Sequence, residues 1–136
     1  MGIKKIKTNG DYIGKRLLVV DDEAEMQRVF RKVLKRPGFE VDTVSSAAQA
    51  LELVRKRKYD LLLIDIRMTS MDGLELLVKL HDMTPETRAI IITGSPSIYT
   101  ARRSRALGAY DYLTKPISID ELNDAVEKAL SSPVNG

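Results

Sequence analysis

Five short apolar runs recur along the chain, and a segment with helical periodicity follows each of them. The runs, which have the length of buried strands, are residues 17–20, 41–44, 61–64, 90–93 and 109–113. The helical segments place apolar residues at i, i+3, i+4 and i+7 spacings: Met26, Val29, Phe30, Val33 and Leu34 in the first, Ala47, Ala50, Leu51 and Val54 in the second, Leu74, Leu77 and Val78 in the third, and Ile119, Leu122, Val126 and Leu130 in the fifth. The fourth segment, residues 97–107, is much less apolar. Strands that alternate with helices predict a parallel sheet with both faces covered, because each right-handed crossover lays a helix across the sheet.

The composition of each run predicts its position in the sheet. The first, third and fourth runs are continuously apolar, as central strands are, whereas residues 40–44 and 109–113 alternate with polar residues, as edge strands do. We therefore expect an α/β fold with a doubly wound, five-stranded parallel sheet in the order 2-1-3-4-5, flanked by five helices. In that order a ligand binds outside the carboxyl ends of the first and third strands. Asp21, Asp22 and Asp65 lie at those ends.

The chain has 136 residues, which suits one domain of ordinary size. We predict a flexible N-terminal arm over residues 1–15, a domain over 16–130 and a C-terminal tail over 131–136. The chain contains no cysteine, and no apolar stretch has the length of a membrane span, so we expect a cytoplasmic protein without membrane contact. The net charge of +3 comes from basic residues interleaved with acids, a pattern that favours no direct nucleic-acid binding.

Three carboxylates that converge on one crevice repel one another unless a cation lies among them. Oxygen ligands in an open site suit magnesium, which commonly takes one or two carboxylates and keeps several waters. The alternative is that Asp21 and Asp22 only favour the N-terminus of the helix that starts at Glu23. Both interpretations stay open on these residues alone.

Thr93 ends the fourth strand and Lys115 follows the fifth, so a hydroxyl and a cation reach the same edge of the sheet. Phosphoryl transfer to a carboxylate requires a nucleophile, a metal and groups that bind the phosphoryl oxygens. Taken singly, Lys115 is a typical surface lysine and Thr93 a typical strand residue. Their joint placement favours the phosphoryl site.

Four segments together resemble the receiver domains of two-component response regulators, which share the flavodoxin-like fold. These are LLVVDDE at 17–23, DIRMTSMDG at 65–73, TG at 93–94 and GAYDYLTKP at 108–116. The resemblance covers about residues 16–130. It is nearest to receivers that precede the output domains of transcription activators.

The resemblance implies a role for each matching residue. It makes Asp65 the phosphoacceptor, Asp22 a direct magnesium ligand, Asp21 a ligand largely through water and Arg67 a ligand through its backbone carbonyl. It also implies catalytic contacts to the phosphoryl group, which come from Thr93 and Lys115, a switch made by Thr93 and Tyr112, and a cis peptide between Lys115 and Pro116. Tyr112 also has an ordinary interpretation as an edge-strand packing residue.

Several positions depart from the family pattern. Thr69 stands where proline is usual, and Gly94 stands where alanine is usual. Arg102 and Arg105 make the fourth helix more basic than in relatives, which leaves its partner preference open. These residue types give no prediction of the lifetime of the phosphoryl group.

The resemblance also implies partners. It predicts phosphorylation by a sensor histidine kinase or a histidine phosphotransfer protein, a homodimer through the fourth helix, fifth strand and fifth helix, and no enzymatic activity beyond gain and loss of the protein's own phosphoryl group. One alternative is a pseudo-receiver that only binds partners. A phosphatase with an aspartyl nucleophile would need a second aspartate where Arg67 stands. A flavodoxin-like cofactor binder would need hydroxyl and glycine donors where residues 21–23 are acidic.

Overall fold

The computed structural model describes residues 14–35, 39–66 and 72–131, without the side chain of Asp72. Five parallel strands form one sheet in the order β2-β1-β3-β4-β5, which confirms the predicted order. The strands are β1 (Arg16–Val20), β2 (Glu40–Val44), β3 (Leu61–Asp65), β4 (Arg88–Thr93) and β5 (Asp111–Thr114). The helices are α1 (Ala24–Leu34), α2 (Ala47–Lys56), α3 (Asp72–Met83), α4 (Ile98–Ala106) and α5 (Ile119–Ser131).

The sheet carries a separate apolar layer on each face. One layer combines Leu18, Leu62 and Ile91 with residues of α2 and α3, and the other combines Leu17, Ile90 and residues of α1 and α5. The three central strands are almost wholly buried, whereas β2 and β5 are only partly covered. The pattern of continuous and alternating apolar runs therefore predicted the centre and the edges of the sheet correctly.

The fifth strand starts two residues later than predicted. Gly108 has a φ of +100°, and the N–H of Ala109 donates to the carbonyl of Ser104 at 2.9 Å. These residues close the C-terminal turn of α4 and are therefore not available to the ladder. The ladder between β4 and β5 begins at Asp111, opposite Ile90.

Three helices bury the predicted face except at one residue each. Val29 in α1 is 43% exposed, Val78 in α3 is 44% exposed and Ile119 at the start of α5 is 60% exposed, although periodicity assigned all three to the core. In α3, Leu76 and Leu80 are buried in addition to the predicted Leu74 and Leu77. An amphipathic pattern fixes a helical stripe, but the packing partner decides which edge of the stripe is covered.

The arm and the tail fall almost entirely outside the described residues. Only residues 14–15 of the arm and Ser131 of the tail are described, and Ser131 is the last residue of α5. The domain boundaries therefore stay predictions. Within the described ranges, no helix combines the length and the apolar composition that crossing a membrane requires.

Candidate functional site

The carboxyl ends of β1 and β3 bring three carboxylates together. Asp21 directly follows β1, Asp22 comes next, and Asp65 is the last residue of β3. One carboxylate oxygen of each lies within 4.8 Å of the others. Asp21 is buried and Asp22 is exposed, so the cluster opens to solvent on one side. The predicted acidic crevice therefore exists at the topological switch point.

Local hydrogen bonds fix the position of Asp21. Its N–H donates to the carbonyl of Val44 at 3.0 Å, which extends the contact between β1 and β2 by one residue. The side-chain amide of Gln27 then donates to the carbonyls of both Asp21 and Val44, at 2.6 and 3.0 Å. Asp21 is thus attached to the sheet on one side and to α1 on the other.

Lys115 directly follows the carboxyl end of β5 and reaches the cluster from there. Its N–H donates to the carbonyl of Thr93 at 2.8 Å, and its peptide bond to Pro116 is cis, as the resemblance implies. Its Nζ lies 3.1 Å from Oδ2 of Asp21 and 3.5 Å from Oδ2 of Asp65. One ammonium group therefore offsets part of the repulsion between two nearly buried carboxylates.

Thr93 lies in the same crevice but is already engaged. Its hydroxyl donates to the carbonyl of Ile66 at 2.7 Å and accepts from the N–H of Ser95 at 3.0 Å, and the residue is buried. A phosphoryl oxygen bound to Thr93 would have to replace the Ile66 carbonyl, because a hydroxyl has only one proton to donate.

Tyr112 is tied to the start of α4. Its hydroxyl lies 2.7 Å from Oγ1 of Thr100 and accepts from the N–H of Ser97 at 3.4 Å. Ser97 is the N-cap of α4, and its side chain accepts from the N–H of Thr100. The tyrosine therefore connects β5 with the N-terminus of α4 and is not a packing residue alone.

Two residues singled out in the sequence are not described by the structure, and two residues beside the site were not predicted to take part in it. Arg67 and Thr69 fall outside the described residues. Sequence reasoning missed Gln27, and it used Glu23 only as the start of a helix and as part of the acidic run. Oε1 of Glu23 lies 3.7 Å from Nζ of Lys115. The three consecutive acids at residues 21–23 were the available signal.

The donor set fits a hard divalent cation. All three close groups are carboxylates, and calcium and magnesium prefer oxygen ligands of this kind. The open side at Asp22 leaves room for water and a phosphate oxygen, which favours magnesium over a caged calcium ion. Asp21, Asp22 and Asp65 are the described side chains that would hold it.

Comparisons with known proteins agree with this geometry. The family model described as "Response regulator receiver domain" matches residues 17–127. The transcriptional regulatory protein ZraR of Escherichia coli O157:H7 is 39% identical over 115 residues, which are 85% of this chain and 26% of that protein. Sporulation initiation phosphotransferase F of Bacillus subtilis is 32% identical over 118 residues, which are 87% of this chain and 95% of that protein.

Solved structures give the same result. The response regulator receiver domain protein (CheY-like) from Methanospirillum hungatei JF-1 superposes with a TM-score of 0.80 at 31% identity and covers 85% of this chain and 93% of that one. The chain spans about a quarter of the length of ZraR. The shared sheet order, the acidic strand ends and the matched residues 17–127 lead to one conclusion. This chain belongs to the response-regulator receiver domain family and has the fold of a phosphoacceptor module.

Proposed function

We propose that this chain accepts a phosphoryl group on Asp65 from a sensor histidine kinase or a histidine phosphotransfer protein. The observation that carries the proposal is the position of Lys115, whose ammonium lies between Asp21 and Asp65 at the carboxyl end of the sheet. A lysine that only balanced the charge of two carboxylates could do so anywhere in the fold. Lys115 instead lies at the topological switch point, where a ligand can reach both carboxylates.

A magnesium ion, held by Asp21, Asp22, Asp65 and the backbone carbonyl of Arg67, would neutralise charge on the phosphoryl oxygens. The carboxylate of Asp65 attacks phosphorus, and the P–N bond of the donor histidine breaks, so that its ring nitrogen leaves with the bonding electrons. Lys115 then exchanges its carboxylate contact at Asp65 for a phosphoryl oxygen.

Thr93 supplies the link to a conformational change. When its hydroxyl turns to the phosphoryl group, the carbonyl of Ile66 loses its 2.7 Å partner and Thr93 moves toward Asp65. Tyr112 then changes rotamer and gives up its contact with Thr100. The surface of α4, β5 and α5 is altered in this way, and we propose that it forms a homodimer.

The charges on this surface are complementary. Arg102 and Arg105 are exposed on α4, which has no acidic residue in its first turn, whereas α5 has Asp120 and Glu121 in its first turn. A two-fold axis would place the basic helix of each copy against the acidic helix of the other.

The partner that delivers the phosphoryl group needs a docking surface beside Asp65. An apolar groove of about 360 Å³ begins at Lys115 and Pro116 and runs between α1 and the start of α5. Val29 and Ile119 line it and are 43% and 60% exposed. We propose that an apolar helix face of the donor protein docks there, because burial of these side chains stabilises a complex.

The chemistry is tested by incubation with acetyl phosphate and magnesium, followed by intact mass and peptide mapping. We expect one phosphoryl adduct, mapped to Asp65, in the wild type and in a control Asp82→Asn variant of the exposed surface. Asp65→Asn should give none. Absence of an adduct in the wild type would favour a pseudo-receiver, and steady release of phosphate from added phosphoesters would favour a phosphatase.

The groove is tested with two variants matched in exposure. Val29→Asp changes the groove, and Val78→Asp changes a residue of α3 that is 44% exposed. We expect Val29→Asp alone to slow labelling by a phosphorylated histidine phosphotransfer protein, with labelling by acetyl phosphate unchanged in both. Equal rates with the protein donor would refute docking at the groove.

A cytoplasmic location and the absence of direct nucleic-acid binding stay predictions.

A further inference from the structure

Glu23 is a third carboxylate beside Lys115, and neither the metal site nor the phosphoacceptor role uses it. Its Oε1 lies 3.7 Å from Nζ of Lys115, whereas Asp21 and Asp65 lie at 3.1 and 3.5 Å. The side chain of Glu23 is 49% exposed, in contrast to the 6% of Asp65. Glu23 therefore attracts the ammonium group toward the mouth of the crevice.

We propose that Glu23 is a positioning residue for Lys115, which draws the ammonium away from Asp65 and slows the phosphorylation of that carboxylate. The proposal rests on the phosphoacceptor function proposed above. Glu23 thus changes the rate of the reaction without touching the reacting atoms.

The backbone N–H of Glu23 fixes one carboxylate oxygen of Asp21. The N–H of Glu23 donates to Oδ1 of Asp21 at 2.9 Å, while Oδ2 of Asp21 accepts from Lys115 at 3.1 Å. Asp21 is thus held at both oxygens and gives the lysine a fixed contact. Movement of the ammonium about that contact takes it either toward Asp65 or toward Glu23.

The balance between these two carboxylates is close. Coulomb energy falls inversely with distance, so separations of 3.5 and 3.7 Å give nearly equal attraction in the same medium. Solvent screens the half-exposed Glu23 more than the buried Asp65, so Glu23 is the weaker competitor. Exposed ion pairs of this kind change an equilibrium by about two- to fivefold, and we expect an effect of that size on the rate.

In the reaction with acetyl phosphate, a new O–P bond forms at Asp65 while the O–P bond of the donor breaks and acetate leaves. Lys115 assists by pairing with the phosphoryl oxygens as they arrive. When Glu23 holds the ammonium away from Asp65, acetyl phosphate less often meets a lysine that can pair with its phosphoryl oxygens. Removal of the Glu23 charge should therefore accelerate labelling.

The test compares the full chain with Glu23→Gln and with Glu25→Gln, in saturating magnesium and acetyl phosphate. Glu25 gives a matched control, because it carries the same charge two residues away, is 81% exposed and pairs with Arg28 at 3.4 Å. We expect Glu23→Gln to be labelled about two- to fivefold faster than Glu25→Gln. Equal rates in the two variants would overturn the proposal, because a general loss of negative charge would then explain any acceleration.

A double-mutant cycle shows whether Glu23 acts through the lysine. In a Lys115→Met background the acceleration by Glu23→Gln should disappear, whereas an unchanged acceleration would contradict the role of Lys115. If Lys115→Met is not labelled at a measurable rate, the same cycle is measured as magnesium affinity by calorimetry, and an equal effect of Glu23→Gln with and without Lys115 would contradict the role of Lys115. A wild type that gains no phosphoryl group would instead refute the proposed function itself.

Discussion

Replacement of Asp65 with asparagine should stabilise the metal-free protein. The change removes one negative charge from a group in which Asp21, Asp22 and Asp65 have carboxylate oxygens within 4.8 Å of one another. It also removes the attraction between Asp65 and the ammonium of Lys115 at 3.5 Å. The sign of the effect depends on which of these interactions is larger.

The distances set the size of each interaction. At an effective dielectric constant of about 20, the lost attraction at 3.5 Å is worth about 5 kcal/mol. Each repulsion at the limit of 4.8 Å is worth about 3.5 kcal/mol, so the two together exceed the attraction by ~2 kcal/mol. Screening of the exposed Asp22 reduces the net gain to about 1 kcal/mol. The nearly buried amide also avoids the desolvation of a carboxylate, which acts in the same direction.

Thermal unfolding with a chelator and with excess magnesium measures this effect. A gain of about 1 kcal/mol raises the melting temperature by about 3–5 °C in a domain of this size. Magnesium at a hundredfold excess over its dissociation constant should add about 2.7 kcal/mol to the wild type, and less to Asp65→Asn, which has lost a ligand. Asp82→Asn serves as the surface control. The reasoning is wrong if Asp65→Asn is the less stable protein without metal and magnesium raises both melting temperatures equally.

Three further predictions concern other parts of the molecule. Asp22→Ala should abolish magnesium-dependent phosphoryl labelling, and labelling that persists in this variant or after chelation would contradict the metal assignment. Burial, and next the hydrogen bond to Asp42, raise the pKa of Tyr59 to about 12. Tyr59 therefore stabilises the fold below pH 10, and this contribution to stability is lost as the pH rises from about 10 to 12. Spectrophotometric titration should lose one late-titrating tyrosine in Tyr59→Phe, and an unchanged curve would refute the assignment. A Cβ at Gly73 would lie 2.8 Å from Cγ1 of Ile66, so Gly73→Ala should cost about 1–3 kcal/mol in urea unfolding, and a neutral result would show that α3 can shift away from the sheet.

The sequence by itself determined the architecture and which described residues lie at the carboxyl edge of the sheet. Strand order followed from the difference between continuous and alternating apolar runs, because a central strand is buried on both faces and an edge strand is not. The positions of Asp21, Asp65 and Lys115 followed because parallel strands all end at the same edge of the sheet. These are properties of local pattern and topology, which a linear sequence carries.

The tertiary structure decided what depends on distances between elements. Periodicity placed Val78 in the core, but Val78 is 44% exposed, and Leu76 and Leu80 are buried beside the predicted Leu74 and Leu77. No spacing rule could show that Thr93 donates to the carbonyl of Ile66, because those residues lie 27 positions apart. In the same way, Glu23 and Lys115 are separated by most of the chain and meet only because β1 and β5 end at one edge. The sequence predicts which side chains lie at the edge of the sheet. Packing determines which of them are in contact, because side-chain contacts depend on ångström-scale placement that no residue pattern encodes.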